Sequence, residues 1–335
     1  MPADLRAVHG AREAGGRAAH PDAQRGRLSP DRPQARPGAG RIGVGAALAA
    51  YIFWGLAPIY FKQIPDVPAL EIIAHRIVWA IPLLAGFLLL RDRGKFLQRV
   101  RLPLRTVAIL GGCGLLVATN WLIFVWAVVN DQVLATSLGY FIGPLVNFLL
   151  GFLFLKERLT RIQGIGVVIA AAGTLYLGWF LGAPPWISLG LAFSFGFYGL
   201  IRKMLPVGPM VGLLWETLLL APLAVGFVAW SWQRGRLVFG GGDVGTDLLL
   251  LLAGLVTVLP LFWFNKAART LDLSTLGFFQ YIAPSMTFLL SVFIYGEAFT
   301  QGHAVAFGCI WFALAMVTVE SVKRHRQLPV GEAQG

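Results

Sequence analysis

The sequence predicts an all-α integral membrane protein with ten transmembrane helices in two inverted five-helix repeats. Three observations predict it. The 335 residues are 57% hydrophobic and only 13% charged, with a mean hydropathy of +0.70, so a soluble core of this composition would lack a surface. The stretch from Leu134 to Thr160 returns 140 positions later, with Ile142, Pro144, Phe148, Leu149, Leu150, Glu157 and Thr160 recurring as Ile282, Pro284, Phe288, Leu289, Leu290, Glu297 and Thr300. Aliphatic residues coincide by chance in so apolar a chain, whereas a proline and a glutamate in one frame do not. Positive charge, thirdly, concentrates in alternate connections.

Residues 1–41 are rich in Arg, Ala, Gly and Pro without apolar periodicity and are expected to form a disordered cytoplasmic tail. Asp4, Glu13, Asp22 and Asp31 argue against a transit peptide. The first repeat, 42–181, carries apolar runs at 43–61, 69–90, 106–129, 134–155 and 162–181. The second, 182–322, carries them at 185–201, 210–232, 247–264, 274–295 and 303–322, and residues 323–335 form a second cytoplasmic tail. Most runs reach the roughly 20 residues that cross about 30 Å of hydrocarbon as helix. Helix is required because lipid offers no partners to open backbone groups. The unit extends beyond the central stretch: PLLAGF from Pro82 matches PLAVGF from Pro222, and Gly55, Lys62, Pro65 and Pro68 meet Gly196, Lys203, Pro206 and Pro209 at an offset of 141.

With both termini inside, the tails and the connections on their side hold 24 of the 28 Lys and Arg residues, as the positive-inside rule requires. Lys62, Arg234 and Arg236 fall outside and Arg76 falls within a helix. Five helices per unit is an odd number, so the second copy enters the membrane from the opposite side. Secondary transporters use this construction, holding substrate near the midplane between the halves.

Other classes lack support. The net charge of +12 is scattered between apolar runs rather than gathered on one face with stacking aromatics, so nucleic acid is not an expected partner. Cys113 and Cys309 each sit within an apolar run, which speaks against a disulfide framework or metal site. The absence of Walker, GxSxG and HExxH motifs leaves no sign of ATP-driven or common hydrolytic chemistry. No cofactor is expected.

The segments AAYIFWGLAPIYFK (49–62), EIIAHRIVW (71–79), NWLIFVWAVVN (120–130), SLGYFIGPLVN (137–147), LAFSFGFYGLIRK (191–203) and STLGFFQYIAP (274–284) resemble RarD-type permeases of the EamA branch of the drug/metabolite transporter superfamily. The resemblance covers about residues 43 to 322. It implies a ten-helix carrier of the bacterial inner membrane.

Arg76 is the most informative residue, because a charge inside a spanning helix is costly and faces a cavity or a partner. Its repeat mate is Glu216. The two can bind the carboxylate and ammonium of a zwitterion, pair with each other at rest, or form a permanent packing ion pair. Asn120, Tyr140, Gln280 and Tyr281 place hydrogen-bonding groups in apolar runs and are candidates for lining a polar cavity, with helix-to-helix bonding as the alternative. Glu71 lies one turn before His75 on one helix face, making the two candidates for proton coupling. Glu157 and Glu297 are read as structural, and Thr160 with Gln163 as a capping box.

These features describe a secondary transporter that exports a small organic metabolite or drug-like compound by alternating access. Its partners are a small-molecule substrate, the lipid bilayer and protons as the candidate coupling ion. A passive facilitator and an intramembrane enzyme acting on a lipid-linked substrate are the alternatives, and no cluster of nucleophile, base or metal ligands supports the second.

Overall fold

The computed structural model describes residues 39–156, 158–268, 270–271, 276 and 279–327. The predicted N-terminal tail up to residue 38, Glu157 and the last eight residues lie outside them. The described chain begins with α1 (Ala39–Phe61) and α2 (Ala69–Asp92), which a short 3₁₀ turn joins to α3 (Phe96–Val100). The first half continues with α4 (Leu104–Val129), α5 (Val133–Leu155) and α6 (Arg161–Leu181). The second half holds α7 (Trp186–Met204), α8 (Pro209–Gln233), α9 (Val244–Ala268), α10 (Ile282–Leu289), which runs on as a π turn over Leu290–Ile294, and α11 (Gln301–Gln327).

Among the described residues, eight helices are long and apolar enough to cross a membrane: α1, α2, α4, α5, α6, α8, α9 and α11. The sixth and ninth predicted runs form α7 and α10, which fall outside that set. Arg202 and Lys203 close α7 and lower its average hydropathy, while α10 with its π turn is shorter than the rest. Leu175, Leu223 and Phe312 lie more than half exposed on α6, α8 and α11, a placement that lipid favours and water penalises.

The boundaries follow local chemistry. Thr160 accepts the Gln163 N–H while the Gln163 side chain accepts the Thr160 N–H, so the predicted capping box starts α6. Gly182 ends α6 at a φ of 70°, a left-handed conformation that suits glycine. The start of α5 has no cap of its own, and Glu297 supplies one: its carboxylate oxygens accept the N–H groups of Val133 and Leu134, each at 2.7 Å. The structural role expected of Glu297 is therefore a concrete one.

Packing joins the halves. α2 packs on α8 and α9, α4 on α7 and α8, α5 on α7 and α10, and α6 on α11. Gly166 of α6 meets Ala313 and Val317 of α11, while Gly173 meets Cys309 and Ala306, so these two helices run antiparallel. α2 and α8 do the same: Ile72, Ile73 and Ile77 share a cluster with Leu220 and Ala224, and Ala80, Leu84 and Leu88 share another with Met210, Leu213 and Leu214. Glycines set the closest approaches. Gly114 of α4 lies against the backbone of Glu216 and Gly254 of α9 against that of Trp79, two glycines that stand 140 positions apart. Likewise Gly55 packs on Met286 and Gly196 on Val146. Gly139 of α5 touches Ser188 of α7, while a side chain at Gly143, one turn on, would meet open space.

A side chain at Gly254 would collide with the Trp79 backbone, which cannot move aside as a side-chain tip can. Gly254→Val is expected to destabilise the protein by about 1–3 kcal/mol or to prevent folding, whereas Gly226→Ala, on an open helix face, is expected to be nearly neutral. Thermal unfolding in detergent compares the two.

Candidate functional site

Arg76 sits about a third of the way along α2, 7% exposed. Its Nε–H donates to Thr257 Oγ1 of α9 at 3.0 Å, and Thr257 donates in turn to the Ala253 carbonyl. The guanidinium lies over Trp121 of α4 at 4.6 Å and over Phe61 of α1 at 5.4 Å from the ring centroids. Ring faces stabilise a cation more strongly when water is excluded. Among the described residues no carboxylate pairs with Arg76, and its terminal N–H groups meet no acceptor. The sequence-predicted Asn120 and Tyr140 join this region. Tyr140 donates to Asn120 Oδ1 at 3.2 Å, Asn120 donates to the Leu191 carbonyl and Ser194 Oγ of α7, and Phe124 links the Tyr140 and Phe61 rings. Two cross-linked polar groups thus stand beside a cation whose outer donors are unused.

Glu216 is fully buried on α8 and lies elsewhere. The expected pairing with Arg76 is not formed. Its partners come from α7: Tyr198 donates to Oε2 at 3.3 Å, and Arg202 Nε stands 3.5 Å from Oε1. Contact with Arg202 is loose, since Glu216 Oε1 and Arg202 Nη1 are both buried without a hydrogen bond. Gly212 makes the pairing possible, because any β-carbon there would occupy the space of the guanidinium.

Glu71 and His75 share a face of α2 as predicted, with separate partners. The Glu71 carboxylate accepts the N–H groups of Val238 and Phe239, fastening the α8–α9 connection over the start of α2. His75 accepts Trp79 Nε1–H at Nδ1 (3.0 Å) and packs on the Phe239 ring, leaving a buried Nε2 without a partner. Tyr281 stacks on Phe141 and packs, next to Gln280, in the cluster that α5 forms with α11. Of the six predicted binding residues, Arg76, Asn120 and Tyr140 come to one region, while Glu216 and the pair Gln280 and Tyr281 lie in others.

Phe61, Trp121 and Thr257 carry no sequence signal that separates them from the many aromatics and scattered hydroxyls of the chain. Arg202 does: at an offset of 141 it occupies the place of Phe61, and each contacts the charged residue of the helix that follows it.

A buried cation without a carboxylate partner between membrane helices marks a functional site, and comparison with known proteins assigns the class, a membrane transporter. Residues 41–179 match the model of the EamA-like transporter family. The chain is 44% identical to Protein RarD of Salmonella typhi over 86% of its own length and 98% of the relative's. It is likewise 44% identical to a protein named as a transporter in Vibrio cholerae, covering 88% of this chain and 96% of that one. A solved crystal structure with 20% identity aligns at a TM-score of 0.55 over 87% of this chain and 99% of its own, a likeness of fold alone. The chain belongs to the EamA-like transporter family and is a RarD-type permease.

Removing one partner of a buried ion pair leaves the other charge uncompensated. Arg202→Ala is expected to destabilise the protein by about 3–5 kcal/mol, and the double change Arg202→Ala/Glu216→Gln by clearly less. A double-mutant cycle on unfolding in detergent measures the difference; equal losses would mean that Glu216 is already neutral in the folded protein.

Proposed function

We propose that this permease is a secondary transporter that exports a small organic metabolite or drug-like compound across the bacterial plasma membrane by alternating access, and that Arg76 binds an anionic group of that compound. One observation carries the reading: Arg76 is buried in the bundle with ring faces and one hydroxyl for company, its terminal donors unused. A guanidinium that served only packing would be expected to have a carboxylate partner. Tyr140 and Asn120 line the same region and suit a neutral polar part of the substrate. Glu216, Gln280 and Tyr281 are proposed as the contribution of the second half, with Glu216 released from Arg202 when a substrate cation takes its place.

The architecture proposed is ten spans in two inverted five-helix repeats, with α7 and α10 as the two additional spans and both termini cytoplasmic. The antiparallel course of α2 with α8 and of α6 with α11 supports it, because equivalent helices of an inverted pair must oppose one another. So do the glycine contacts that recur at the repeat offset. For proton coupling, His75 is the stronger of the two candidates. With Nδ1 accepting from Trp79, the neutral ring carries its proton on an unpartnered Nε2, from which it can be passed on. A second proton enters at Nδ1 when Trp79 is released, whereas the Glu71 oxygens are held by the Val238 and Phe239 N–H groups.

Uptake of a panel of organic acids and amino acids into proteoliposomes, with and without a pH gradient, tests the reading. Arg76→Ala is expected to reduce uptake at subsaturating substrate about tenfold or more, the effect of losing roughly 1.4 kcal/mol of binding. Arg76→Lys is expected to recover only part, since lysine keeps the charge without the planar fork. Uptake of every substrate by a well-folded Arg76→Ala protein at the native rate would return Arg76 to a packing role. For topology, alkaline phosphatase fused after Gly235 is expected to be active and after Lys95 inactive.

A further inference from the structure

A second site lies at the opposite end of α2 from Glu71. There the ends of α2, α3, α8 and α9 enclose a cleft of about 460 Å³, with Arg91, Arg99 and Lys266 among its lining. Two of these cations are held in place rather than free. Asp92, its side chain only 5% exposed, accepts Arg91 Nε–H at 3.0 Å and Arg91 Nη2–H at 3.2 Å, and pairs with Arg99 Nη1 at 3.3 Å. One carboxylate against two guanidinium groups and Lys266 leaves the cleft with an excess of two positive charges. α8 also begins here: Gly208 precedes it without a capping side chain, Pro209 has no N–H, and Met210 and Val211 of its first turn line the cleft. Their N–H groups lack a side-chain cap. The walls are apolar at Phe87, Leu102 and Phe262, and Leu90 of α2 and Leu97 of α3 stand exposed.

We propose that this cleft binds a phosphate group, supplied by the headgroup of an anionic phospholipid whose acyl chains run along the apolar residues beside it. Arg99, engaged with Asp92 through Nη1 alone, can offer its other N–H groups to phosphate oxygens, the Arg91 charge stands fixed beside it, the uncapped helix start adds donors, and Lys266 adds a mobile charge. A soluble phosphate ester would satisfy the same cations but make no use of the apolar walls. Basic pockets between helices at a membrane surface suit such headgroups. The site is independent of Arg76 and of the transport reading.

Native mass spectrometry of the purified protein, equilibrated with equal amounts of phosphatidylglycerol and phosphatidylcholine, tests the proposal. The native protein is expected to retain phosphatidylglycerol preferentially, and Lys266→Gln and Arg99→Gln each to reduce that preference about fivefold, the effect of about 1 kcal/mol per basic residue. Both side chains are exposed enough for their loss to leave the bundle folded. The native protein offers a second measurement, since its preference is expected to fall as salt is raised. Displacement of the lipid by millimolar glycerol phosphate, abolished in the variants, would keep the phosphate site and overturn the lipid as its source. No preference for phosphatidylglycerol, or the same preference in both variants, would overturn the proposal altogether.

Discussion

Close approach of helix backbones is the condition on which this structure rests. Between helices in lipid, burying apolar side chains gains little, since hydrocarbon surrounds them in either state; van der Waals packing and interhelical hydrogen bonds must hold the bundle. The small residues sit accordingly where helices cross. Gly114 and Gly254 bring α4 onto α8 and α9 onto α2, Gly166 and Gly173 bring α6 onto α11, and Gly139 brings α5 onto α7. Polar groups add to these crossings rather than replacing them. Ser188 donates to the Ala135 carbonyl beside Gly139, and Ser137 donates to the Pro284 carbonyl between α5 and α10. The apolar exterior then needs no special account, because nothing in the packing depends on it.

Within that frame the two halves have kept geometry and exchanged chemistry. The residue closing the first helix of each half contacts the charge on the second: Phe61 faces Arg76, and Arg202 faces Glu216. An aromatic ring stabilises a cation without neutralising it, leaving the guanidinium able to attract an anion. An arginine beside a glutamate neutralises it, so that half is closed to a further ligand until the pair separates. The same position therefore leaves one charge without a counter-charge and gives the other one. The 3.5 Å separation and the unused atoms on both sides mark that pairing as incomplete. A buried pair so loosely joined gains little against its desolvation, which makes it the easier one to open.

Much of this was legible in the residues. The apolar runs coincide with helices, and Thr160 with Gln163 forms its cap. The link between Asn120 and Tyr140 was foreseeable in kind, as two amphipathic groups in hydrocarbon need partners. Pairing Arg76 with Glu216 failed for a geometric reason. α2 and α8 run antiparallel, so two residues 140 positions apart on them meet only where the helices cross and elsewhere diverge in opposite directions. Arg202 was misplaced because a charge at the end of an apolar run reads as a loop residue. Nothing local showed that α7 continues to Met204 and that Gly212, on the next helix, leaves room for the guanidinium. The rings around Arg76 were illegible for a different reason: in a chain 13% aromatic, no spacing distinguishes the two that matter.

The ties between elements are unevenly distributed along the bundle, and that asymmetry bears on how it could move. At the end where α1 and α4 finish and α5 begins, Lys62 pairs with Asp131 and lies over the Tyr295 ring, while Glu297 caps α5 across the two halves. Glu71 fastens the α8–α9 connection at the start of α2. At the other end, where α2 and α9 finish and α8 begins, the structure has a cleft instead. Access from the tied end requires breaking ion pairs and charge-assisted hydrogen bonds, each individually modest but arranged to break together. The other end has ties of its own, in Arg99 with Asp92, Trp215 Nε1–H to the Val100 carbonyl and Thr160 to Glu320. A ligand entering from the side of Lys62 and Glu297 must favour an opened form by more than those ties contribute. Arg76 lies in the half of α2 nearer the end that Lys62, Glu71 and Glu297 tie, on the far side of the helix midpoint from the cleft.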